Sequence, residues 1–98
     1  MKVIAELMIV PIGIGTSFSK YIAECERILK KTNLKVQLHA EGTNIEGDLD
    51  EVLQAVRECI EAMHQMNVPR LLTNLHLSTR TDKGETIEDK IKSVEEQM

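Results

Sequence analysis

His39, His76 and Glu6 are the side-chain types that a metal ion takes. As alternating strand positions all three fall on one sheet face. The strands carrying the two histidines are expected at opposite edges of one sheet, with two strands between them. At about 4.8 Å per strand the histidines stand roughly 14 Å apart, too far for one ion, so no metal site is expected. Cys25 and Cys59 lie 34 residues apart, each inside a helical pattern and without a Cys-x-x-Cys spacing. They read as buried free thiols rather than a zinc or redox pair, and a disulfide between them would be out of place in a reducing compartment. Ser17 and Ser19 have no histidine near in sequence and read as helix-start residues; there is no Gly-x-Ser-x-Gly elbow. Gly13-Ile14-Gly15 lacks the third glycine of a dinucleotide fingerprint. Glu26 with Lys30, and Glu88 with Lys92, have the i,i+4 spacing of surface pairs, and His64 reads as a solvated residue late in a helix. No catalytic constellation and no cofactor are expected, so the chain does not read as an enzyme.

The run Glu41-Gly42-Thr43-Asn44-Ile45-Glu46-Gly47 carries a hydroxyl, an amide and two acids. That is more chemistry than a hairpin needs. From the residues alone it stays open between a solvated turn and a binding element.

The elements that must position these groups follow from periodicity. Residues 2–10 alternate with both sides largely apolar, the pattern of a central strand, and Pro11 is expected to stop it. Thr16 or Ser17 is expected to cap a helix reaching about Lys31, with the stripe Phe18, Ile22, Cys25, Ile28 and Leu29. Asn33 sits where a left-handed exit residue would. Leu34–Ala40 reads as a half-exposed strand, Glu41-Gly42 as a turn, and Thr43–Glu46 as a short return strand ended by Gly47-Asp48. Asp48 can cap a second helix to about Met66, with Leu49, Val52, Leu53, Val56, Ile60 and Met63 inward. Leu71–Thr79 is the last strand. Asp82-Lys83-Gly84 turns the chain, and Thr86 with Asp89 forms a capping box for a short helix striped by Ile87, Ile91 and Val94.

The order β-α-β-β-α-β-α predicts one α+β domain over residues 1–98: a ferredoxin-like sandwich with a four-stranded antiparallel sheet and an extra C-terminal helix. Both crossover helices cover one sheet face. The other is left open and carries Ile4, Glu6, Met8, Lys35, Gln37, His39, Leu72, Asn74 and His76. An apolar face of that size is expected to meet a second subunit or a ligand. The chain has 12 Lys+Arg against 16 Asp+Glu, 6 against 7 up to Asp50 and 6 against 9 beyond it. That balance, with Phe18 and Tyr21 as the only aromatics, excludes the footprint of a nucleic-acid binder. No apolar run approaches a membrane span, and Glu6 interrupts any leader-like start, so a cytoplasmic domain is expected.

Several motifs, in order along nearly the whole chain, resemble the small thiamine-binding family related to YkoF, whose members were long known only as conserved proteins of unknown function. They are Pro11-x-Gly13, Ser17-x-Ser19-x-Tyr21-Ile22-Ala23, Gly42-Thr43-x-Ile45-Glu46-Gly47, and the Arg70–Arg80 strand followed by Asp89-Lys90-x-x-Ser93-Val94. The Gly-Thr-x-Ile-Glu-Gly run is the most specific. The resemblance implies the ferredoxin-like fold, dimers through the sheets and often tetramers. It also implies binding of thiamine or its hydroxymethylpyrimidine part without catalysis. Ser17, Thr43, Glu46 and Asn74 are carried over as ligand-binding residues: hydroxyls and an amide for the aminopyrimidine, a carboxylate for the cationic thiazolium. Tyr21 is the expected stacking residue beside Phe18. The alternative is a ligand-free module whose sheet face only assembles oligomers.

Overall fold

The computed structural model describes residues 1–98. Its elements are β1 (Lys2–Ile12), α1 (Ser19–Lys30), β2 (Lys35–His39), β3 (Gly42–Asp48), α2 (Leu49–Gln65), β4 (Arg70–Ser78) and α3 (Ile87–Glu95). The strands form one antiparallel sheet in the order β2-β3-β1-β4. This is the expected α+β, ferredoxin-like arrangement with its additional C-terminal helix. β2 and β4 occupy the two edges, and β1 lies between β3 and β4.

Register decides which side chains share a face. Leu7 pairs with Thr43 on one side and Leu75 on the other, and Ala5 with Ile45 and Leu77. Odd-numbered residues of β1 therefore point to the helices, and Val3, Ala5, Leu7 and Ile9 are all buried there. The core lies between this face and α1 and α2, which contribute Cys25, Leu29, Val52, Cys59 and Met63. The opposite face has the expected membership: Met8 faces Asn74, Glu6 faces His76, and Ile4 faces Glu46.

The boundaries depart from the sequence reading in instructive ways. β1 runs through Pro11 to Ile12 because its pairing with β3 ends at Leu7 while that with β4 continues. A strand end with one free edge tolerates a proline's missing N–H. Neither Thr16 nor Ser17 caps α1; Phe18 stands at that position, with no side-chain capping bond. Asn33 is not in a left-handed conformation. Thr32 instead closes the end of α1, its hydroxyl donating to the Leu29 carbonyl and accepting from the Leu34 N–H. The left-handed exit residue is Asn67 after α2, at φ 65°. Gly47-Asp48 does not break β3, which includes both, although Asp48 does cap α2 by accepting from the N–H groups of Asp50 and Glu51. The Thr86–Asp89 capping box is present in full. Leu53 is exposed, its place in the core taken by Ala55 and Cys59.

α3 begins on the face of the sheet away from α1 and α2. The Ile87 N–H donates to Glu46 Oε1 at 2.7 Å, and Glu88 pairs with Lys35 of β2. Ile87 is buried, but Ile91 and Val94 are exposed, so the helix is fastened mainly at its first turn.

Candidate functional site

The row Phe18, Ile22, Glu26 is spaced i, i+4, i+8, which places all three along one line of α1. That line faces the end of the sheet where the β2–β3 hairpin turns. Between them lies a cleft of about 550 Å³, within the range of small-molecule pockets. Leu7 and Ile9 from β1 and Leu38 from β2 give it apolar walls with Phe18 and Ile22; Ser19, His39 and Glu41 stand among the polar lining groups.

Thr43 and Glu26 carry the polar chemistry of the cleft. The Thr43 hydroxyl donates to Glu26 Oε2 at 2.9 Å. Thr43 is 4 % exposed, so this bond sits in a poorly hydrated place and holds the carboxylate in one orientation. Oε1 of Glu26 has no protein partner. The i,i+4 pair with Lys30 is not made, because the carboxylate turns inward to Thr43 instead. Glu88 likewise pairs with Lys35 rather than Lys92, which reaches Glu96. Gly42 lets the hairpin close on β1: a Cβ there would stand 2.9 Å from the Leu7 carbonyl oxygen.

Cys25 lines the same cleft, and Cys59 packs behind it. Both are free and buried, and the Cys59 thiol points at the Cys25 carbonyl at 3.8 Å. The hydrogen bond with Cys25 and then burial push the Cys59 thiol up, which leaves it protonated and unreactive.

The four residues carried over from the family motifs are not brought to one place. Thr43 lines the cleft on the helix side of the sheet. Asn74, paired with Met8, lies exposed on the opposite face. Thr43 and Asn74 do flank β1 from either side, but opposite registers send their side chains through opposite faces. Glu46 also points to the open face, where its carboxylate accepts from the Ile87 N–H and lies 3.4 Å from Lys2 Nζ. Ser17 is exposed on the loop leading into α1. Tyr21 is buried in the core with Lys20 Nζ 5.1 Å from its ring centroid, so Phe18 is the aromatic group of the cleft. Glu26 was hidden in the sequence by its plausible lysine partner; the row it shares with Phe18 and Ile22 was the signal.

On the open face, Glu6 bridges the two histidines from the central strand. Its carboxylate lies 3.4 Å from His39 Nε2 and 3.9 Å from His76 Nδ1. A second depression, about 490 Å³, lies between the start of β1 and the segment after β4. Its Arg80 is engaged by Asp82 and Glu85, and its lining is mostly polar.

Comparison with known proteins agrees with this architecture. A family model described as "Thiamine-binding protein" matches residues 5–95. A UPF0045 protein of Synechocystis is 47% identical over 95 residues, 97% of this chain and 78% of its own length. A UPF0045 protein of Methanocaldococcus jannaschii is 43% identical over 95 residues, 97% of this chain and 94% of its own. Its crystal structure superposes with a TM-score of 0.91, covering 97% of both chains. A Thermotoga maritima protein provisionally ascribed to thiamine biosynthesis or salvage shares the fold, with a TM-score of 0.83 at 21% identity, covering 96% of this chain and 99% of that one.

Proposed function

We propose that this chain, which belongs to the thiamine-binding protein family, binds thiamine or its hydroxymethylpyrimidine part without catalysis, in the cleft between α1 and the β2–β3 hairpin. The observation that carries the location is the Thr43–Glu26 pair inside a mostly apolar cleft. An apolar pocket with a few fixed polar groups is what a flat heteroaromatic ligand requires. Phe18 supplies an aromatic face, the Thr43 hydroxyl oxygen an acceptor for the exocyclic amine, and Glu26 a carboxylate for the cationic ring.

Asn74, Glu46 and Ser17 define the competing location, on or beside the open face. The two locations separate by mutation. Thr43→Val is expected to weaken thiamine binding by about 1 kcal/mol, the worth of one hydrogen bond, while Asn74→Ala leaves it unchanged. The reverse pattern in calorimetry moves the ligand to the open face. Recovery of thiamine chemically intact after prolonged incubation, read by mass spectrometry, tests the absence of catalysis.

Assembly is proposed alongside ligand binding, because the open face extends beyond the cleft, whose rim it shares at Met8, Val10 and His39. Met8 is 37% and Leu72 46% exposed on that face, and apolar side chains grouped on a sheet face favour a partner. A second copy of the chain is the partner proposed, giving a dimer through the sheets that can pair into a tetramer. A cytoplasmic location belongs to the same proposal, supported by the two unpaired thiols.

A further inference from the structure

The cleft lining carries two carboxylates, Glu26 and Glu41, one histidine and no lysine or arginine. Lys30, four residues beyond Glu26 on α1, makes no ion pair with it and is not among the residues that line the cleft. Lys20 lies over the Tyr21 ring, and Lys35 pairs with Glu88 on the other side of the sheet. Glu26 is held by Thr43 through one oxygen and keeps the other for a ligand.

From this charge pattern we infer that the cleft selects an unphosphorylated, positively charged heteroaromatic ligand and rejects its phosphate esters, with Glu26 as the group that reads the positive charge and Thr43 as the group that positions it. The inference rests on the cleft reading above. A phosphate entering the cleft meets two carboxylates and no neutralising cation, and it surrenders its hydration without replacement. A cationic ring gains the Glu26 carboxylate in apolar surroundings, where charge-assisted contacts are strongest. One feature opposes the phosphate penalty. The first N–H groups of α1 open near Ser19 without a side-chain cap. That helix end carries only about half a unit of positive charge, and it stands at exposed residues where solvent screens it, against two full carboxylates.

The test is calorimetry on the whole chain with three probes: thiamine, thiamine monophosphate and the neutral hydroxymethylpyrimidine. On the parent protein the monophosphate is expected to bind at least roughly tenfold more weakly than thiamine, the ratio set by about 1.4 kcal/mol. Glu26→Gln is expected to weaken thiamine by a similar factor, to change the neutral pyrimidine far less, and to narrow the gap between thiamine and its phosphate. Equal or tighter binding of the monophosphate by the parent overturns the inference and leaves the cleft reading standing. So does an equal loss of thiamine and pyrimidine in Glu26→Gln. Absence of heat with both thiamine and the pyrimidine on the parent overturns the cleft reading itself. The comparison of thiamine with its phosphate needs no variant, so the inference stays testable even where Glu26→Gln fails to fold by circular dichroism.

Discussion

Thr43 and Glu46 are three residues apart in one strand and end on opposite faces of the sheet. Both are buried polar groups, 4% and 8% exposed, and each is satisfied by a different helix. Thr43 reaches Glu26 of α1; Glu46 takes the Ile87 N–H of α3. Glu46→Ala leaves that buried N–H without an acceptor, a loss of about 1–3 kcal/mol. Because α3 is fastened mainly at this turn, the expected result is local: amides of α3 exchange faster by mass spectrometry while those of β1 keep their protection. Uniform loss of protection through the sheet would count against Glu46 as the fastening of α3. Gly42 and Gly47 give a second contrast. A Cβ at Gly42 meets the backbone oxygen of Leu7 at 2.9 Å, which cannot move without shifting β1. One at Gly47 meets the tip of the Leu34 side chain, which can rotate away. Gly42→Ala is therefore expected to lose about 1–3 kcal/mol in urea unfolding, and Gly47→Ala less.

At the scale of elements, the ends are tied by carboxylates whose ionised forms the fold favours. A hydrogen bond from the N-terminal ammonium holds Asp48 below the usual range, helped by the α2 N–H groups it caps. Lys35 does the same for Glu88, and the Thr86 backbone N–H for Asp89. Arg80 pulls Asp82 down to about 2. A depressed folded-state pKa stabilises above the unfolded value, near 4 for carboxylates, and that contribution is lost as pH falls through the folded value. The melting temperature is therefore expected to change little from pH 7 to 5 and to fall between about pH 4 and 2. Added salt should shrink part of this slope, since these groups are exposed and screened. A melting temperature unchanged between pH 4 and 2 would show that these ties contribute nothing to folding. The element order was legible because strand alternation and helical stripes are strong signals, and the capping box at Thr86 announced α3. Element ends were less so. At Phe18 no capping oxygen is used, and at Pro11 the strand continues because of a neighbour distant in sequence.

At the scale of the molecule, the two sheet faces divide the labour, and this division explains what could be foreseen of the candidate site. Alternation sorted the residues of β1, β2 and β4 into the two sets observed, since the side-chain period is two, but it was not applied to β3, where it parts Thr43 from Glu46. It could not say which residues from different strands meet, because that depends on register. Glu6 thus joins His39 and His76 from opposite edges, and Thr43 parts from Asn74 although both flank β1. The open face makes the last expectation. Met8, Val10 and Leu72 adjoin on β1 and β4, Val10 opposite Leu72 and Met8 diagonal to it, and form one apolar patch from which Glu6 and His76 separate Ile4. A twofold pairing of two such faces buries this surface against itself, while Thr43 and Glu26 stay on the helix side of the sheet and Met8 and Val10 form the rim that the contact shares with the cleft. Light scattering at micromolar concentration is expected to give at least twice the 11.1 kDa of one chain. Met8→Lys places an ammonium in that contact, so the variant is expected to dissociate. Leu53→Lys, an exposed residue on the outer side of α2, is the control and should assemble as the parent does. A parent protein that scatters as a single chain removes the sheet-face dimer, whatever the cleft binds.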